Sequence, residues 1–307
     1  MQRSAEYDAF GPWTYRVTAP EEVPRLYRGH GIDPAAARLV LKVPRVIDRR
    51  EATPDMHLYD HLLVAGGDAL TVLSRRGDTY HVAEVPYARV AAVHHSYSML
   101  DGRLVVHDVD GRERAGIAVS LRYNAVSRGV VEELAELVRE QALAARAPAE
   151  RPVRSNGATA RVAELDEADA ALVTLYRAIA DRRPGLVVLG SHSRVIVPRR
   201  DVPFRRLLDS LRPVTLHAAL VCADAGTLDL VHRREWFTSH PRPAWSVAHT
   251  FVVTSAVTAV GSHEHPRYEG VYRVQVASGR ALVELAFPDG AESGTAIAAA
   301  LAGVRAI

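Results

Sequence analysis

The chain writes one pattern twice, in the same order. LYR at residues 26–28 returns at 175–177, and each copy leads into a short apolar strand, LVLKV at 39–43 and LVVLG at 186–190. LTVLSRRGDTY (70–80) returns as LDLVHRREWFT (228–238), an alternating strand that runs into an arginine pair. RVAAV (89–93) is matched by AVTAV (256–260), and DGRLVVHDVDGR (101–112) by EGVYRVQVASGR (269–280) with the same spacing between glycines. Five weak matches in one order mark an internal duplication. The fold must therefore be one that half of the chain can complete.

Within each copy the strands are short, alternating and punctuated by turns, which predicts antiparallel sheet. Asp110-Gly111 reads as a tight hairpin. Each half then ends on a helical pattern. Val130, Val131, Leu134, Leu137 and Val138 recur at helical spacing behind Ser127, and Ile297, Leu301 and Val304 do so behind Ser293. Both serines are predicted N-caps. A further helix is predicted over 164–182, with Leu165, Leu172, Tyr176 and Ile179 on one stripe. The stretch 147–160 carries two prolines, an Asn-Gly and little apolar content, as a linker does. The expected division is a first unit at 1–147 with an N-terminal extension, a linker at 148–160, and a more divergent second unit at 161–307. The fold class is mainly β with α, each unit a bent antiparallel sheet or barrel capped by its C-terminal helix.

The run HLLVAGGDALTVLSRRGDTYHVAEVPYARVAAVHHSYSMLDGRLVVHDVDG and the helix after it resemble bacterial pleckstrin-homology-like (PH-like) domains, here in tandem. The resemblance covers about two-thirds of the chain, and its motifs are structural. It implies a binding or scaffolding protein. In each copy the arginine pair sits where a strand leaves the core, so both arginines are expected to be exposed.

Composition narrows the setting. No apolar run is long enough to span a bilayer, and the first residues lack the pattern of a signal peptide. Cys222 is the only cysteine, so no disulfide forms within the chain and a cytoplasmic location is expected. Lys42 is the only lysine beside 37 arginines, the bias of a GC-rich bacterial coding sequence. A net charge of +2 without basic stripes points away from nucleic acid. A protein or peptide partner is expected, with a homo-oligomer as a further option.

No catalytic constellation or cofactor motif is found. Lys42 lacks the glycines of a phosphate loop, and GSHSR and GSHEH lack the closing glycine of a nucleophile elbow. His57 and His61 stand too far apart on an extended chain to chelate. His94 and His95 point to opposite faces of a strand, so at most one meets solvent and one the core. His263 and His265 share one face of an extended segment without an identifiable third ligand. They carry the alternative reading, a histidine-dependent metallohydrolase using the 263–268 loop. Trp236, Phe237 and Trp245 are the interface candidates, or caps on an open barrel end.

Lys42, Arg45, Arg49 and Arg50 are similar to the basic cluster with which PH domains hold phosphorylated headgroups, and they are the candidate ligand contacts. Their alternation across two faces, Pro44, and the neighbouring Asp48 and Glu51 predict ion pairing within the segment rather than headgroup binding.

Overall fold

A computed structural model describes residues 5–146, 165, 169–200, 213–239 and 245–306. The linker expected at 148–160 lies outside the described residues. The architecture is mainly β with α, as the alternation predicts.

In the first half, β2 (Leu39–Pro44), β3 (Tyr59–Ala65), β4 (Ala69–Arg76) and β5 (Thr79–Pro86) form an antiparallel meander, with β1 (Tyr15–Arg16) added beside β2. Alternate residues of β2 go to opposite faces, and both faces are covered. Leu39, Leu41 and Val43 enter the inner core, while Val40 meets an outer layer of Phe10, Val17, Val23 and Tyr27. That layer is the N-terminal segment, with α1 (Ala5–Asp8) and a 3-10 turn at Arg25–His30. A second meander follows: β6 (Val90–Ser98), β7 (Asp101–Asp108) and β8 (Ile117–Asn124). Helix α2 (Arg128–Ala144) closes the unit by burying Val131, Leu134, Val138 and Ala142 against both meanders.

The second half repeats this order. Helix α3 (Ala170–Arg182) leads into β9 (Val187–His192). β10 (Val195–Val197) and β11 (Val214–Leu216) leave for a small separate sheet that β14 (Phe237–Thr238) completes. β12 (Ala219–Asp224), β13 (Thr227–His232) and β15 (Ser246–Val253) continue the meander from β9. β16 (Ala259–Glu264), β17 (Val271–Ser278) and β18 (Ala281–Pro288) form the second meander, and α4 (Glu292–Ala300) follows. The chain then returns as β19 (Arg305–Ala306), parallel to β16.

Three local expectations are corrected. Ser127 is the N-cap residue of α2, as predicted, but its hydroxyl makes no capping bond; it accepts a hydrogen bond from the Thr14 amide at 2.9 Å. Ser293 lies inside α4, whose N-cap is Ala291, and its hydroxyl turns toward His192. Asp110-Gly111 opens a longer connection that includes a 3-10 turn at Arg114–Gly116, because the DG turn closes back on Asp108 instead of on the next strand.

The halves share a sheet. β15 pairs antiparallel with β6, from Ser246 opposite Ser98 to Val252 opposite Ala92. This produces one seven-stranded sheet in the order β8-β7-β6-β15-β13-β12-β9. The cores interlock across it: Phe251 and Val253 of β15 enter the first core, and Ala92 of β6 enters the second. A second contact joins the halves where the Arg280 amide donates to the Val109 carbonyl at 2.7 Å. Gly279, at φ 60°, makes that approach possible, since any side chain there would strike the Val109 carbonyl. No helix among the described residues is long and apolar enough to cross a membrane.

Candidate functional site

The strands at the centre of the seven-stranded sheet, β13 and β15, are buried along their whole length. Yet they carry Asp229, His232, His249 and Thr250. Buried polar groups are costly unless they are paired, so each must find partners inside the protein.

On one face of the sheet, His249 donates from Nε2 to Asp229 Oδ1 at 2.7 Å. The Thr227 hydroxyl donates to Asp229 Oδ2 at 2.6 Å, and Arg183, the residue after α3, donates to Oδ1 at 2.9 Å. Burial works to raise the Asp229 carboxyl, but the hydrogen bond and charge of His249, then Arg183 and Thr227, outweigh it and hold it at about 2. Arg183 also lies 3.3 Å from Glu136 of α2, which pairs with Arg139 at 2.9 Å, and Arg139 reaches Asp224 at 3.4 Å. The network thus ties the first half's helix to the second half's sheet. His95 stands opposite His249 across the β6–β15 ladder and shares a short hydrogen bond with the Tyr123 hydroxyl. Burial pulls His95 down to about 3, so it is neutral.

The opposite face carries a second polar row. His232 donates from Nδ1 to the Arg233 carbonyl at 2.6 Å, and burial brings it down to about 4. A neutral His232 bonded in this way accepts at Nε2, so Thr250 donates there at 3.0 Å. His94 then donates to Thr250 at 2.8 Å. Half-buried His94 therefore meets the second half of the protein. Farther along, His192 donates to the His217 carbonyl at 3.0 Å and accepts from Ser293 at 2.7 Å. Burial lowers His192 and His217 to about 4 each.

The two arginine pairs diverge in use. Arg75 binds Asp60 at 2.8 Å, and Arg76 is exposed. Arg233, however, is only 3% exposed and binds Asp169, the fully buried N-cap residue of α3, at 3.1 Å. Arg194 shares that carboxylate at 3.0 Å. Arg234 reaches across to Asp101 at 2.6 Å. The expected exposure fails in the second copy because the N-terminus of α3 and β15 enclose Arg233, while Arg234 is drawn to Asp101 of the first half.

The sequence candidates are dispersed. Lys42 donates to the Glu22 carbonyl at 3.1 Å and lies over the Tyr59 ring, and burial lowers its pKa. Arg45 donates to the His57 carbonyl at 3.2 Å. Arg49 holds the N-terminal segment through the Tyr7 and Phe10 carbonyls and stacks over the Tyr7 ring. Arg50 pairs with Asp48 at 2.9 Å, the pairing within the segment that the spacing predicts. These four side chains do not converge on one mouth.

Trp236 stacks on His232 at 4.5 Å between ring centres and packs edge-on against Phe287. Phe237 stacks on Tyr268 at 4.3 Å, whereas Trp245 is 76% exposed. His263 is exposed on β16, opposite Arg273. His265 lies against Phe237 and Tyr268 and accepts from the Arg267 amide. Burial and then the nearby arginines lower its pKa. No group of three or more histidine, cysteine or acidic residues is placed to hold a metal among the described residues.

Sequence reasoning missed Asp229, His249, Arg183 and Glu136. A signal did exist: a charged or imidazole residue interrupts each of the apolar runs LDLV and VAHTFVV.

Asp229 and His249 have the geometry of a carboxylate orienting a base. The Thr227 hydroxyl is spent on Asp229 itself, and the buried Cys222 thiol is pushed up by burial. Among the described residues, cavities open elsewhere, and three of them bear on function. Two adjoin, of about 670 and 550 Å³, and share Pro44, Val46 and Arg122. The third, about 460 Å³, lies between α4 and the β16–β17–β18 meander. None of the three is lined by Asp229, His249 or Cys222. No protein-family model matches the chain, and no curated protein matches it in sequence.

Proposed function

We propose that the chain is a non-catalytic scaffold in which two PH-like units, 1–147 and 161–307, are fused edge to edge and bind a protein or peptide partner. The observation that carries this reading is the use of Asp229, His249, Arg183 and Glu136. Asp229, His249 and Arg183 are consumed in one another, and Arg183 in the link to Glu136 of the first half, away from every cavity described above. The order of a four-strand meander, a three-strand meander and a closing helix in each half supports the PH-like assignment.

The adjoining cavities favour a polypeptide over a phosphorylated headgroup. Arg45, Arg103, Arg122 and Arg234 line them, but so do Asp48, Asp60 and Asp101. Asp101 already pairs with both Arg122 and Arg234. On the rim Val46 is 90% and Leu100 65% exposed. Paired charges of both signs beside exposed apolar side chains suit a protein surface.

The test is turnover. The purified chain is offered a panel of ester, phosphoester and peptide substrates, with and without added zinc or manganese. The scaffold reading expects none to be consumed. Turnover that disappears in His263→Ala or His265→Ala at an unchanged melting temperature would replace it with the metallohydrolase.

A further inference from the structure

The two adjoining cavities differ in what lines them. The larger, about 670 Å³, has Pro12, Ile47, Leu100 and Tyr123 among its walls. The smaller, about 550 Å³, holds three arginines, Arg103, Arg122 and Arg234. Its one carboxylate, Asp60, is held by Arg75 at 2.8 Å. Burial lowers the pKa of His61, the remaining titratable group on that wall. Val46 belongs to both cavities and marks where they meet.

The arginines are short of partners. Arg103 and Arg122 face each other directly across the β7–β8 ladder, where like charges repel. Asp101 binds Arg122 at 3.0 Å and Arg234 at 2.6 Å, one carboxylate between two cations. Arg103 makes no ion pair among the described residues and reaches only the Ser120 hydroxyl, at 3.5 Å. The cluster therefore suits one more carboxylate, which an arginine fork can hold through two parallel hydrogen bonds.

The larger cavity carries no such excess. Of the charges on its wall, Asp48 is held by Arg50, and Arg45 and Glu51, without ion pairs among the described residues, offset each other. Its mouth is apolar instead. Trp13, Val46, Met99, Leu100 and Val126 stand there, exposed by 47% to 90%. They are contiguous. Val46 and Leu100 line the cavity with Pro12, the neighbour of Trp13. The Leu100 carbonyl accepts from the Ala125 amide, beside Val126, and the Thr14 amide donates to Ser127 on the other side of Val126. Met99 and Leu100 form the two-residue turn between β6 and β7, and Met99 holds a φ of 53° that glycine adopts more easily. A contiguous apolar cluster in water marks a contact surface.

We propose that the two cavities together receive one extended peptide, with an apolar side chain in the larger and the carboxylate of an aspartate or glutamate on Arg103 and Arg122 in the smaller. This rests on the scaffold reading and names the chemistry of its partner. A bilayer is the poorer occupant. It does not fill concave cavities, and its phosphates would face Asp48, Glu51 and Asp101 as well as the arginines.

A phage-displayed library of random dodecapeptides, selected on the immobilised full chain, tests it. Enriched peptides should carry an aspartate or glutamate within a few residues of a leucine, isoleucine, valine or phenylalanine. The strongest are made with a fluorophore, and anisotropy gives their Kd. Arg103→Ala and Leu100→Ser should each weaken binding at least about tenfold. Changing the acidic residue of the peptide to its amide should cost as much against the native chain and almost nothing further against Arg103→Ala. Both side chains are exposed, so the melting temperatures of the two variants should match that of the native chain.

A selection without enrichment overturns the proposal, as do enriched peptides that lack acidic residues or a Kd that neither variant moves. So does capture on phosphatidylglycerol vesicles that Leu100→Ser abolishes, which would give the surface to a membrane. The absence of catalysis is judged separately, by the turnover test.

Discussion

Arg234 donates to the Asp101 carboxylate at 2.6 Å and so bridges the two halves across 133 residues of sequence. Arg122 binds the same carboxylate at 3.0 Å. The pair is partly open to water, so its contribution is modest: Arg234→Ala should cost about 1 kcal/mol. Urea unfolding at low salt and in 1 M NaCl checks this, and the loss should shrink at high salt as the charges are screened.

Arg183 is a different case because both it and Asp229 are buried. Removing one partner of a buried pair leaves an uncompensated charge, so Arg183→Met should cost roughly 3–5 kcal/mol. The double variant Arg183→Met, Asp229→Asn should recover at least half of that. Equal losses in the single and double variants would mean that packing, not charge, dominates the site.

Acid should loosen the protein in two stages. His95, His192, His217 and His232 have folded pKa values of about 3 to 4, below the unfolded value of about 6.5. The unfolded chain therefore binds more protons between those values, and stability falls as pH drops from about 6.5 toward 4. Asp229 acts lower down. Its depressed pKa contributes stability above about 4 that is lost as pH falls toward 2. Unfolding at pH 5 should need at least about 2 kcal/mol less than at pH 7.5, the effect of one such histidine. His232→Asn should flatten that slope.

The aromatic residues separate by packing. Trp236→Ala removes a ring stacked on His232 and packed on Phe287 and should cost about 3 kcal/mol. Trp245→Ala, at an exposed ring, should change stability by less than about 0.5 kcal/mol. Thermal melts of the two variants decide the matter.

Cys222 is fully buried and its thiol is raised by burial. Ellman's reagent should leave the native protein unmodified over hours and titrate one thiol at once in denaturant. Fast reaction of native protein would show that the sheet opens at β12.

The strands and the closing helices were legible because hydrophobic periodicity is local. A strand such as ALTVLSRR states its buried face within its own length. The polar interior was legible only as interruptions. Asp229 in LDLV reads as a defect until Arg183 and His249, far away in sequence, are brought beside it. Arg233 read as a strand-end charge and proved to be sealed against Asp169, because burial there is imposed by another part of the chain.

By itself, then, the sequence determined the mainly β character and the helix that ends each half. Tertiary structure alone decided that β15 would pair with β6. Backbone hydrogen bonds are the same in every strand, so nothing in VAAVHHSYS names its neighbour. The choice is made by what the pairing buries on its two faces. Here that means Phe251 and Val253 in the first core, Ala92 in the second, and His95 opposite His249 between them.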